Sequence, residues 1–191
     1  MKTVFIDVDT QIDFLYPAGA LYVPGAEKLL PTLARLNHYA AEHGITVVST
    51  VDAHAENDPE FRDWPAHCVV GTAGQAKPSG TLLDGRVTIP STPGEYEIEG
   101  ARQIVVEKQW IDMFAGGNLA AILDRLKADR WVVYGVVTEY CVRSAVMWLL
   151  QKGQRVEVLA DAIQALSDEA GRATLEEFTA KSGTVHSFTD F

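Results

Sequence analysis

The 191 residues carry 26 acidic and 16 basic side chains, and 47% of them are hydrophobic, ordinary proportions for a globular chain long enough to bury a core without disulfide or metal staples. The net charge of −10 excludes a nucleic-acid partner, which needs clustered Lys and Arg, and no run approaches the ~20 apolar residues of a membrane helix. The length fits one domain over residues 1–191, and two cysteines make no disulfide framework, which points to a reducing, cytoplasmic setting.

Residues 3–8 form a short β-rich apolar run and read as a first strand, too short and too acidic for a signal peptide. Pro24 and Gly25 open an amphipathic helix over 26–43, with Leu29, Leu30, Leu33 and Leu36 at helical spacing and Gly44 closing it. A second β-branched run covers 45–51. Residues 53–103 read as a long irregular excursion with a small hairpin near 86–98, and loops of that length are usually functional. A third strand follows at 104–107, a helix at 117–128, a fourth strand at 131–136, a helix at 139–152 and a fifth strand at 155–159. Ser167 caps a helix running to about residue 180, and 184–186 is a sixth strand. Strands that alternate with helices, and do not alternate in polarity, predict a three-layer α/β/α fold on a mostly parallel sheet of about six strands.

In such a sheet, ligands bind beyond the carboxyl ends of the strands. Asp9 follows the first strand, Asp52 and His54 the second, Lys108 the third, and Cys141 the fourth after a few residues. A lone cysteine is commonly buried and inert; Cys141 is distinguished by its company. With Thr138 as N-cap it stands in the first turn of a helix, where the dipole and a nearby Lys108 favour a thiolate. Asp9 can take the thiol proton and return it to a leaving amine. Strand alternation puts Asp7 and Asp9 on the same side.

Asp52 and His54, spaced as a chelating pair, join Glu60 and His67 from the following loop as candidate metal ligands, with Asp58 and Asp63 as rivals. Two imidazoles and two carboxylates suit zinc, iron or manganese. Phe14 and Trp64 lie beside these acidic clusters and can grip a flat ring between them, ordinary core packing being the alternative. Cys68, directly after His67, reads as a packing thiol.

The segments Val8-Asp9-Thr10-Gln11-Ile12-Asp13-Phe14, Val106-Glu107-Lys108 and Gly135-Val136-Val137-Thr138-Glu139-Tyr140-Cys141 resemble, in order, the three signatures of the nicotinamidase and isochorismatase-like cysteine hydrolases. Asp52-Ala53-His54 and Trp64-Pro65-Ala66-His67-Cys68 are similar to the metal-binding nicotinamidase branch, with Glu60 where many members have a His. The resemblance implies a Rossmann-like isochorismatase fold, a catalytic trio of Asp9, Lys108 and Cys141, and a cis peptide at Val136–Val137. It further implies an oxyanion site at the Val137 and Cys141 N–H groups, and a pyridine ring held by Phe14 and Trp64. It places a divalent metal, zinc foremost, on Asp52, His54, Glu60 and His67, and expects a small aromatic amide as substrate and a homo-oligomer.

Three other readings compete. A relative acting on a carbamoyl or ureido amide keeps the trio and changes the substrate. Asp7-Val8-Asp9-Thr10 superficially resembles the start of a haloacid-dehalogenase-like phosphatase, but Gln11 stands where that motif wants Thr or Val, and Cys141 is left idle. A metal- or ring-binding module with a dead site would need no intact trio.

Overall fold

The computed structural model describes residues 1–110 and 112–190. Its centre is a seven-stranded sheet in the order β3-β4-β2-β1-β5-β6-β7, formed by β1 (Thr3–Val8), β2 (Thr46–Asp52), β3 (Arg86–Ile89), β4 (Gln103–Lys108), β5 (Arg130–Val136), β6 (Val156–Gln164) and β7 (Thr184–His186). Every pairing is parallel. The Val- and Ile-rich runs of β1, β2, β4 and β5 are buried nearly end to end, as strands covered on both faces must be. The helices are α1 (Ile12–Leu15), α2 (Leu30–Glu42), α3 (Asn118–Leu126), α4 (Arg143–Gln151) and α5 (Asp168–Ala180), and they complete a three-layer α/β/α fold. No helix among the described residues is long and apolar enough to cross a membrane.

The chain leaves β1 towards β2, β4 and β3, then returns past β1 to build β5, β6 and β7. The direction of growth reverses between β1 and β5, and such a switch point is where open α/β sheets bind ligands. Gly135 makes the approach of these two strands possible. Its φ of +118° belongs to glycine, and a Cβ there would stand 2.1 Å from the Val8 carbonyl oxygen.

The structure corrects several expectations. The sheet has seven strands where about six were expected, because 86–89 is a parallel edge strand on β4 and not half of a hairpin. Residues 90–101 remain irregular, tied to α3 through Asn118, which donates to the Pro90 and Thr92 carbonyls and accepts from Gly94 N–H. The helix expected from residue 26 opens instead as a 3-10 turn, Ala26–Leu29. Pro31 has no N–H to give Glu27, so the Leu30 N–H takes that carbonyl one residue early. Thr138 is not a helix cap. Val137 holds that position, Thr138–Val142 forms a π-helical turn closed by Val142 N–H on the Val137 carbonyl at 3.1 Å, and the Thr138 hydroxyl is buried without a hydrogen-bond partner.

Candidate active site

Asp9 sits just past β1 with a φ of +50°. Its N–H donates to the Thr50 carbonyl at 3.1 Å, and its Oδ1 accepts from the Thr50 hydroxyl at 2.7 Å. Asp7 meets Ser49, the neighbour of Thr50 on β2. Adjacent strand residues point to opposite faces, so Asp7 and Asp9 do not share a side as strand alternation suggests. The left-handed turn at Asp9 reverses its side chain. Asp7 is fully buried and paired with Lys77 at 2.9 Å, which removes the phosphatase reading, where that residue must reach a phosphate.

Lys108, at the end of β4, is buried at the meeting point of three groups. Its Nζ lies 3.0 Å from Asp9 Oδ2, 2.5 Å from Asp52 Oδ1 and 3.7 Å from Cys141 Sγ. Burial alone would lower its pKa, but Asp52, Asp9 and Cys141 outweigh this and hold the ammonium well above its ordinary range. Burial also pushes the Cys141 thiol up, against Lys108 and with the help of Asp9 and Asp52. Burial raises the Asp9 carboxyl too, opposed by Lys108. These surroundings favour the thiol of Cys141, where helix position alone favours a thiolate. The Val136–Val137 peptide bond beside it is cis.

Asp52 faces two ways. Its Oδ1 meets Lys108, while Oδ2 lies 3.9 Å from His54 Nε2 and 3.8 Å from His67 Nε2. Burial would raise its carboxyl, but Lys108 and the nearby His54 imidazole hold it at about 2. The ligand atoms of Asp52, His54 and His67 all lie within 4.8 Å of one another, a group able to hold a metal ion. The imidazoles are turned for it. His67 Nδ1 is 2.7 Å from the Pro65 carbonyl, which can only accept, so the proton is on Nδ1 and the Nε2 lone pair points inward. His54 Nδ1 lies 3.1 Å from Asp58 Oδ2, and its fully buried Nε2 has no hydrogen-bond partner. A buried, unpartnered imidazole nitrogen converging with a second imidazole and a carboxylate fits a divalent cation.

Local backbone pairing brings these ligands together. His54 N–H donates to the Cys68 carbonyl at 3.1 Å and Val70 N–H to the His54 carbonyl at 3.0 Å, a short parallel bridge that sets His67 against His54. Glu60 stands outside the trio on the pocket wall, near enough that His54, Asp52 and His67 act on its charge; burial raises its carboxyl. Of the two rivals, Asp58 braces His54 and caps the turn carrying Glu60, accepting from Glu60 N–H at 2.9 Å, and Asp63 is exposed.

A small cavity opens over these groups. Asp9, Lys108 and Cys141 line it together with Val136, Val137 and the wall residues Phe14 and Trp64. Leu21 and Tyr140 complete the apolar walls, Tyr140 meeting Trp64 edge-on with ring centroids 5.7 Å apart. A larger cleft, about 660 Å3, lies at the opposite end of the strands between Lys2, Thr46, Arg102 and Lys127 and holds neither a cysteine nor a histidine.

Sequence reasoning passed over the residues that clamp this site. Gln11 Nε2 donates to the Asp52 and Gln75 carbonyls, both at 2.8 Å, and its Oε1 accepts from Asp52 N–H at 2.7 Å. Asp13 accepts from Ala20 N–H at 2.8 Å and from Cys68 N–H at 2.7 Å, so one carboxylate ties two loops to α1. Both stand in the first motif, but their type and spacing do not distinguish a clamp from a reactive group. Tyr140 is signalled only by its place before Cys141.

Residues 3–190 match the isochorismatase domain family. Among curated relatives, the chain is 25% identical over 197 residues to the nicotinamidase of Saccharomyces cerevisiae, covering 88% of this chain and 90% of that one. It is 24% identical over 186 residues to the maleamate amidohydrolase of Pseudomonas putida, covering 96% and 82%. Among solved structures, the pyrazinamidase of Pyrococcus horikoshii in complex with zinc superposes with a TM-score of 0.80 at 30% identity, over 98% of this chain and 100% of that one.

Proposed function

This chain belongs to the isochorismatase family, and we propose that it is a metal-dependent cysteine amidohydrolase that converts nicotinamide, or a closely similar neutral aromatic amide, to its acid and ammonia. The observation that carries the reading is the meeting of Cys141, Asp9 and Lys108 on the floor of one aromatic-walled cavity, with Asp52 shared between Lys108 and the two imidazoles.

Asp52, His54 and His67 hold the metal, zinc first on this donor set and iron or manganese next, and Glu60 supplies the fourth donor from the pocket wall. Bound there, the ion supplies Lewis acidity and an anchor for a ring nitrogen or a water. Phe14 and Trp64 hold the substrate ring and exclude water. Asp9 accepts the Cys141 proton as sulfur attacks the amide carbon, and the fixed charge of Lys108 beside both groups stabilises the thiolate that develops. The N–H groups of Val137 and Cys141 receive the developing oxyanion. The C–N bond breaks as Asp9 returns its proton to nitrogen, releasing ammonia and leaving a thioester on Cys141. Asp9 then takes a proton from water, whose oxygen attacks the thioester, and the proton returns to sulfur as the acid departs.

Charge favours a neutral substrate. The cavity is lined by Asp9, Asp52 and Glu60, and its one cation among the described residues, Lys108, already faces two of them. With the ion bound, Lys108 and the metal balance these carboxylates, and a substrate carrying its own carboxylate, such as maleamate, finds no further Arg or Lys among the described residues to pair with it. Zinc-loaded protein is expected to release ammonia from nicotinamide with a kcat/KM at least about 100-fold above that for maleamate, a gap of ~3 kcal/mol. Equal rates, or a preference for maleamate, would overturn the substrate assignment.

A further inference from the structure

Asp7 and Lys77 have no part in the reaction proposed above, yet both are buried where an apolar pair would fit a sheet core. The Asp7 carboxylate accepts from Thr10 Oγ1 at 2.7 Å, Asn37 Nδ2 at 3.0 Å, Ser49 Oγ at 3.2 Å and Lys77 Nζ at 2.9 Å. Tyr134 OH in turn donates to Asn37 Oδ1 at 2.5 Å. Lys77 Nζ also donates to the Thr10 hydroxyl. Thr10 Oγ1 is thus fixed from both sides, giving its proton to Asp7 and receiving one from Lys77.

A buried ion pair adds little stability over apolar residues of the same volume. What an apolar pair cannot do is fix the direction of a neighbouring hydroxyl. Thr10 directly follows Asp9, whose φ of +50° lies where a side chain other than glycine is held only by its surroundings. That turn is what separates Asp9 from Asp7: Asp7 stays with Ser49, while Asp9 passes to Thr50, Lys108 and Cys141. Lys77 stands at the end of the loop that begins at His67. Along the way Gly74 and Ala76 carbonyls accept from Asp13 and Ile12 N–H at 3.0 and 2.9 Å. The loop carrying a metal ligand and the turn carrying the acid–base carboxylate are therefore zipped together, with Lys77 as the closing contact.

We propose that Lys77 is a positioning residue: through Thr10 it locks the left-handed turn that carries Asp9 onto Lys108 and Cys141. The inference rests on Asp9 being the acid–base group of the reaction above. Its test uses zinc-loaded full-length protein bearing Thr10→Val, Thr10→Ser, or Asp7→Leu combined with Lys77→Met. Lys77→Met alone strands a buried carboxylate and can fail to fold for that reason; the paired replacement removes both charges. Thr10→Val and the paired variant are expected to lose about 10- to 100-fold in kcat on nicotinamide, the scale of a small misplacement at the reacting centre. KM and zinc stoichiometry stay close to wild type, and Thr10→Ser keeps its kcat. Crystal structures of the first two variants are expected to show Asp9 out of the left-handed region and its contact with Lys108, 3.0 Å here, opened. An unchanged kcat and an unchanged Asp9 in the paired variant would overturn the proposal. If wild-type protein releases no ammonia from nicotinamide, the substrate reading has failed, and the Asp9 geometry in Thr10→Val decides the positioning role alone.

Discussion

Asp52 links the two imidazoles to the surroundings of Cys141 through its two oxygens, one on Lys108 and the other facing His54 and His67. Its carboxyl at about 2 lies below the ~3.9 of a free aspartate. The sign follows from linkage: a depressed folded pKa contributes stability that is present above about pH 4 and lost as pH falls through 2. Asp9, raised by burial, contributes with the opposite sign, its share present below its free value and lost as pH rises through its folded one. In metal-free protein, Asp52→Asn is expected to melt below wild type at neutral pH, with the gap narrowing as the pH approaches 2. A gap that widens on acidification would contradict the pairing with Lys108. The strand-end reading found Asp9, Asp52, His54, Lys108 and Cys141 because parallel strands bring their carboxyl ends to one edge. It missed the reversal of Asp9 and the double role of Asp52, since a positive φ at an aspartate and the choice of partner for each oxygen are set by Thr10, Ser49 and Thr50, contacts no linear pattern displays.

At the scale of elements, the close passage of β5 past β1 sets the distance between Asp9 and the Val136–Cys141 segment. Gly135→Ala pushes a methyl group into the Val8 carbonyl at a φ that alanine avoids. The variant is expected to lose on the order of 3 kcal/mol, read by urea denaturation, together with most of its activity. A loss below about 1 kcal/mol would mean that the two strands have room to part. Long apolar runs and helical spacing made the inner strands and α2 through α5 legible. The edge strand β3 was hidden because only Ile89 of its four residues is buried, and the 3-10 start before α2 and the π-helical turn at Thr138–Val142 arise from single carbonyl choices that periodicity does not record.

For the molecule as a whole, the strand order places the switch between β1 and β5 under the cavity, and the segments after β1, β2 and β5 wall it, with Lys108 entering from the end of β4. The group of Asp52, His54 and His67 draws on the end of β2 and on the 67–70 loop, so an ion held there would tie the sheet to its cover. Zinc at 100 times its dissociation constant is expected to add about 2.7 kcal/mol, raising the melting temperature of a chain this size by about 5–10 °C, and His54→Ala with His67→Ala to abolish that rise. The chain order of strands and helices was readable from sequence, but their lateral order was not, because it depends on which way each crossover turns.

The most direct test of the central claim is ammonia release from nicotinamide by zinc-loaded protein beside its Cys141→Ala variant, with nicotinamide binding measured on both. The account predicts release by the first, a fall of about 10,000-fold or more in the second, and binding retained in both. Turnover by the alanine variant within tenfold of wild type would show that the reaction does not pass through a thioester on Cys141.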